Sequence, residues 1–145
     1  MATVSVSKIV NAPAAKVWAM VSEWGGTDKW IPGVGPVTVE GAGVGSTRSA
    51  DLDPATGFPG RIAERLDAFD NSAMHFRYSV VGESPIPITN YVAEMQVSDK
   101  GAGTCEVTWS SSWKPCGDIS EADLLTACEG LYALSLDNVA SATES

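Results

Sequence analysis

Apolar and polar positions alternate at the start of the chain: residues 3–10 carry Val4, Val6 and Val10 on one parity, the period-two signature of a strand. The period then changes. Ala14, Val17, Trp18 and Val21 recur at helical spacing over 13–23. Pro13 suits the first helical position, where its missing N–H costs nothing. Gly25-Gly26 ends that helix, and 27–30 reads as a second, short one closed by Pro32 and Gly33. Strand-like stretches follow at 34–41, 45–52, 60–69, 73–81, 88–98 and 104–114. Turn residues separate them, among them Gly41, Gly43 and Gly45, Asp70-Asn71-Ser72 and a loop with Pro85 and Pro87. Consecutive strands joined by short turns predict an antiparallel meander.

The period lengthens again at the end. Asp118 followed three residues later by Glu121 resembles a capping box, and Leu124, Cys128, Leu131, Tyr132 and Ser135 then share one face of a helix over 118–140. The pattern predicts an α+β fold in which seven antiparallel strands curl around a long C-terminal helix. A curled sheet gripping a helix leaves a cavity between them, where small molecules bind. A cone-shaped NTF2-like domain, the main competitor, usually begins with its long helices and ends in strands.

Strand parity decides which side chains enter that cavity. On 45–52 the inward set is Ser46, Arg48, Ala50 and Leu52; on 60–69 it is Ile62, Glu64 and Leu66. A lone inward charge would be costly, so neighbouring strands are expected to pair Arg48 with Glu64. Phe76 and Tyr78 share the inward face of their strand, Tyr91 and Met95 that of the next, and Trp109 that of the last. With Leu124, Cys128 and Tyr132 from the helix, Phe76, Met95 and Trp109 are expected to line the substrate space. A carboxylate can move a proton, a guanidinium can hold negative charge and phenols can position an oxygen, so Arg48, Glu64, Tyr78 and Tyr91 are the candidate catalytic set. The same residues also admit a plainer reading: a structural ion pair and two core aromatics. Trp18 reads as packing, Trp24 and Trp30 as residues of the cavity mouth, and His75 as a solvated surface residue. Outward Arg61, Arg65, Arg77, Glu94 and Glu106 read as surface pairs.

Composition narrows the partners. The 145 residues are 44% apolar and 19% charged, enough for one domain, 1–145, with a real core and too ordinary for a fibre or a disordered tail. Eighteen acidic against nine basic residues give a net charge of -9, the wrong sign for nucleic acid or an anionic membrane surface. No apolar run approaches the length of a spanning helix, and the alternating N-terminus does not read as a signal peptide. Three cysteines without a CxxC pair suggest reduced thiols and a cytoplasmic setting. One histidine, no GxGxxG before a helix and no Walker loop leave no motif for a metal or a classical cofactor, so none is expected.

Several local motifs converge on a known family. They are Asn11-Ala12-Pro13-Ala14 with Lys16-Val17-Trp18, Gly45-Ser46-Thr47-Arg48, Glu64-Arg65-Leu66, Tyr78, Pro85-Ile86-Pro87 with Tyr91, Thr108-Trp109-Ser110 and Gly130-Leu131. In this order they resemble the START-like or Bet v 1-like (SRPBCC) superfamily, in particular its polyketide cyclase/dehydrase-like branch. The resemblance spans essentially the whole chain and implies the helix-grip fold. Within the superfamily the chain is also similar to plant lachrymatory-factor synthase and related hormone-receptor-like proteins. In that synthase an Arg, a Glu and two Tyr line the cavity, with proton transfer assigned to the Arg and Glu; the matching motifs place these on Arg48, Glu64, Tyr78 and Tyr91. The 84–88 loop resembles the proline-containing gate of the receptors. The expected function is a cofactor-independent cyclase, dehydratase or isomerase acting on a small hydrophobic or aromatic substrate. The alternative is a non-catalytic carrier or sensor of such a molecule, and a third class is a protein-interaction module.

Overall fold

In a computed structural model, which describes residues 2–144, the alternating N-terminal segment forms β1 (Ala2–Val10). The helical stretch after it forms α1 (Ala14–Val21), with Val17, Trp18 and Val21 buried. Pro13 is the residue just before the helix rather than its first member. Six strands follow: β2 (Thr38–Glu40), β3 (Thr47–Leu52), β4 (Gly60–Asp70), β5 (His75–Val80), β6 (Ile88–Gly101) and β7 (Thr104–Pro115). They form one antiparallel sheet in the order β1-β7-β6-β5-β4-β3-β2. The chain ends in α2 (Glu121–Thr143). This is the seven-stranded curled sheet with a C-terminal helix that the periodicity predicts.

Three local expectations are corrected. The strand expected at 34–41 shrinks to β2, because Gly33, Gly35 and Pro36 leave only Val34, bridged to Leu52, in the ladder ahead of it. Met74, expected inside a strand, sits in the preceding turn with a positive φ of 52°. The C-terminal helix starts at Glu121, since Ser120, not Asp118, accepts from the Asp123 backbone N–H at 3.1 Å.

The core lies between α2 and one end of the sheet. Helix α2 packs chiefly on β1 and to a smaller extent on α1 and β7, while α1 covers parts of β6 and β7. Leu136 and Val139, fully buried on the C-terminal half of α2, meet this core, and Lys8 on β1 reaches Asp137 at 2.9 Å. The N-terminal half of α2 is different. Ahead of Tyr132 only Leu124 is buried, while Cys128 and Leu131 are half-buried although they line the cavity. That half faces open space over β3 to β6, and the space is the cavity described next.

Trp18 packs as expected, against Phe69 and Phe76, and its Nε1 donates to Asn71. The outward charges form surface pairs, Arg61 with Asp51 at 3.2 Å and Arg77 with Glu94 at 3.8 Å, of little energetic weight. His75 departs from its expected solvation: it is half-buried, with Nε2 3.1 Å from Glu94. Among the described residues, no helix is long and apolar enough to cross a membrane.

Candidate active site

A cavity of about 480 Å³ lies between the concave sheet and the first half of α2. Its wall is mostly apolar. Ile31 and Pro32 enter from the segment after α1, Phe58 from the loop before β4, and Ile86 from the proline loop before β6. Gly33 holds two of these edges together: its φ is +82°, and a Cβ there would come within 2.5 Å of the Thr56 methyl. Only a residue without a side chain allows that approach.

The polar part of the wall begins with Arg48 and Glu64, which stand directly opposite each other in the β3–β4 register. Arg48 Nε donates to Glu64 Oε1 at 2.8 Å. Both side chains are well shielded, 7% and 17% exposed, so this is a desolvated pair and not a surface one. Arg48 Nη1 also donates to the Trp24 carbonyl at 3.2 Å. The guanidinium lies 3.8 Å from the centre of the Trp24 ring and 4.9 Å from that of Tyr78. Two aromatic faces and a carbonyl thus hold the cation in one place. Among the described residues nothing bonds to Arg48 Nη2 or Glu64 Oε2, which leaves one donor group and one acceptor for a ligand.

Next to the pair runs a chain of buried hydroxyls. Trp109 Nε1 donates to the Tyr78 hydroxyl at 3.0 Å, and the Tyr78 and Tyr91 hydroxyls are 3.3 Å apart. Tyr91 and Tyr132 share a short hydrogen bond, and Tyr132 donates to Ser111 Oγ at 2.8 Å. Each phenol has one proton to give, and an indole can only donate. The order is therefore fixed: Trp109 to Tyr78, Tyr78 to Tyr91, Tyr91 to Tyr132, Tyr132 to Ser111. Burial pushes all three phenols well above their ordinary value, helped at Tyr78 by Tyr91 and at Tyr91 by Tyr132. They are neutral hydrogen-bonding groups at physiological pH, not bases. Burial likewise raises the Cys128 thiol, against the opposing pull of Tyr132 and Ser111.

A family model described as polyketide cyclase/dehydrase and lipid transport matches residues 1–144. The chain belongs to this family. The START-like, polyketide cyclase/dehydrase resemblance of the motifs is therefore correct. Solved structures agree with the family fold. A protein from Thermobifida fusca is 30% identical with a TM-score of 0.81, over 97% of this chain and 91% of its own. An uncharacterised protein from Bacillus thuringiensis is 22% identical with a TM-score of 0.85, over 99% and 100%. The Zhui aromatase/cyclase from Streptomyces sp. R1128 is 18% identical with a TM-score of 0.79, over 99% and 93%. Among proteins of curated function, none matches this chain in sequence.

Within this family member, Arg48, Glu64, Tyr78 and Tyr91 all line the cavity. So do Trp109, Leu124, Cys128 and Tyr132. Phe76 and Met95 do not, which corrects the expectation for both. They are buried on the same sheet face, but Phe76 lies against Trp18 of α1, and α1 also covers β6. The inward face continues past the cavity into solid core. Trp24 and Trp30, expected at the mouth, divide: Trp24 braces Arg48, while Trp30 is buried edge-on to Trp109, their centroids 5.5 Å apart. Sequence reasoning missed Ser111, the end of the hydroxyl chain, and the hydrogen-bonding part of Tyr132. A serine on the inward parity of β7, between two tryptophans, was the available signal for the first. Among the described residues no three His, Cys, Asp or Glu side chains converge as metal ligands would.

Proposed function

We propose that this protein is a cofactor-independent enzyme of the cyclase, dehydratase or isomerase type, which moves a proton on a small hydrophobic or aromatic substrate in the cavity. The observation that carries the reading is the Arg48–Glu64 pair: a shielded carboxylate with one oxygen held by the guanidinium and the other unbonded, in an otherwise apolar wall. A purely apolar carrier has no need of a desolvated charge pair. The family description, and the aromatase/cyclase name of the Streptomyces relative, support the same class of chemistry.

In this reading Glu64 removes a proton from a carbon next to a carbonyl. The C–H electron pair becomes the C=C of an enolate, and its negative oxygen is held by Arg48 Nη2. Protonated Glu64 then returns the proton to another carbon, which isomerises the substrate. Alternatively it gives the proton to a departing hydroxyl, which leaves as water while the C–O bond breaks. Tyr78 and Tyr91 stay neutral, and because each has committed its one proton to the hydroxyl chain, they would orient the substrate by accepting from one of its hydroxyls.

Deuterium exchange into β-tetralone, followed by NMR in deuterium oxide, tests this without the natural substrate. The wild-type protein should speed loss of the C–H signal beside the carbonyl. Glu64→Gln should cut that acceleration at least about 100-fold and leave affinity within about twofold. Wild-type exchange no faster than buffer, with the ketone still bound, would instead establish the carrier reading, to which the lipid-transport part of the family description points.

A further inference from the structure

The polar corner of the cavity carries no net charge. Arg48 and Glu64 neutralise each other through their 2.8 Å bond, and Arg48 is the one cation among the described residues that line the wall. The other charged residue of the lining is the exposed Asp53, an anion whose carboxylate accepts from Ala55 N–H. Tyr78, Tyr91, Tyr132 and Cys128 face the same space, and burial keeps all four neutral near physiological pH. The chain as a whole carries a charge of -9.

Two atoms of the pair remain open. Arg48 Nη2 and Glu64 Oε2 have no bond among the described residues. Yet neither belongs with the polar atoms that are both unpartnered and sealed from water, which are Trp24 Nε1, Trp30 Nε1, Ser79 Oγ and Trp113 Nε1. A water-sized group therefore reaches both. The guanidinium itself is not free to swing toward a ligand. Its Nε is tied to Glu64 and its Nη1 to the Trp24 carbonyl at 3.2 Å, and the Trp24 and Tyr78 rings cover it at 3.8 and 4.9 Å.

We propose that Glu64 is the specificity determinant of the cavity: it reserves the Arg48 end for ligands that are uncharged there, and it admits an acid only together with a proton. The inference rests on the reading that the cavity takes a small hydrophobic molecule, and it does not require that molecule to react.

A ligand carboxylate that reaches Arg48 Nη2 also stands beside Glu64, because one guanidinium holds both. Two carboxylates on one cation leave a negative charge uncompensated in a shielded, apolar wall, and like charges so close do not both stay ionised. One proton then enters with the ligand and is held between the two carboxyls. The nearby Asp53 and the negative field of the whole chain oppose an anion further. A ketone, ester, alcohol or enol brings no such charge: it accepts from Nη2 or donates to Oε2 and leaves the pair intact. The enolate of the proposed reaction obeys the same rule, since it forms only as its proton passes to Glu64. Sulfonates and phosphates, which stay ionised, are excluded outright.

Two naphthalenes of one shape test this: β-acetonaphthone, a neutral methyl ketone, and β-naphthoate, in which a carboxylate replaces the acetyl group. Near neutral pH, wild-type protein should bind the ketone at least about 100-fold more tightly, because an acid with a pKa of about 4 has to be reprotonated to enter. From about pH 5.5 to 7.5, naphthoate affinity should fall nearly tenfold per pH unit while ketone affinity stays within about twofold. Glu64→Gln removes the competing charge and keeps the shape. It should raise naphthoate affinity near neutral pH at least about 100-fold, abolish its pH dependence and leave the ketone within about twofold. The wild-type slope decides alone if the variant does not fold. Wild-type protein that binds both compounds alike and without the slope, or a folded Glu64→Gln that still rejects naphthoate, would overturn the specificity role and leave proton transfer by Glu64 intact. Failure of both compounds to bind wild-type protein would remove the ligand cavity and both readings with it. The expected preference without exchange of β-tetralone would keep this role of Glu64 and discard the enzyme.

Discussion

At the scale of single residues, the three tyrosines carry an unusual concentration of meaning. The chain has three, and all three stand in one buried hydroxyl chain: Tyr78, Tyr91 and Tyr132. Their folded-state values are raised by burial, well above the ordinary 10. A raised value means that, as pH climbs past about 10, the unfolded chain releases protons that the folded one retains. Stability from these groups is therefore complete below about pH 10 and falls above it. The slope reaches on the order of 4 kcal/mol per pH unit while all three remain protonated only in the folded state. Near-ultraviolet absorbance should show no tyrosinate near pH 10 in the native protein. All three should then ionise together, in step with loss of circular dichroism at higher pH. A smooth titration near pH 10 without unfolding would remove the hydroxyl chain. Parity alone found Tyr78 and Tyr91, because inward positions of a strand can be counted, and it paired Arg48 with Glu64 for the same reason. The phenolic bond of Tyr132 was not legible. Helical spacing places a side chain on a face, but not its hydroxyl against a particular atom of a strand more than 40 residues away in sequence.

Elements make the cavity by where they stop. Helix α2 packs chiefly on β1, where Asp137 meets Lys8, buries Leu136 and Val139 in its second half, and lines the cavity with Leu124 and Cys128 in its first. Its start therefore matters to the site, since Leu124 and Cys128 lie in its first two turns. The cap is Ser120, whose hydroxyl accepts from Asp123 N–H, with Glu121 and Asp123 adding negative charge where the helix dipole favours it. Ser120→Ala should cost about 1 kcal/mol in urea unfolding, while Asp118→Ala should stay within about 0.5 kcal/mol of wild type. The reverse order would move the cap to Asp118. The sequence contains both candidates three residues ahead of an acidic one, and only the path of the chain decides between them. The shortened β2 has a similar origin: Val34, Val37 and Val39 alternate plausibly, but Gly33, Gly35 and Pro36 remove the ladder from under them. Phe76 and Met95 mark a third limit. Periodicity assigns a face to each strand residue, and it carries no information on where α1 ends and open space begins.

On the scale of the whole molecule, the sheet's curl was legible from seven short antiparallel strands, and the helix that it grips from one long amphipathic segment. What these cannot reveal is whether the space between them is filled. Here about 480 Å³ is not, although interiors are otherwise packed like organic crystals. Such a space costs contacts that a solid core would have, and families retain it for a ligand. Ala50 tests that trade directly. It is buried on β3 between Arg48 and Leu52, and it lines the cavity. A leucine forced into a well-packed core would cost about 1–3 kcal/mol. Against open space, Ala50→Leu should instead leave the thermal midpoint unchanged or raise it by filling the gap. Affinity for β-tetralone should fall at least about tenfold, because the added methyls occupy the volume that the ligand needs. Calorimetry on the variant, with and without the probe, reads both quantities in one experiment. A destabilised Ala50→Leu that still binds as tightly as wild type would place the ligand elsewhere and close this cavity as a site.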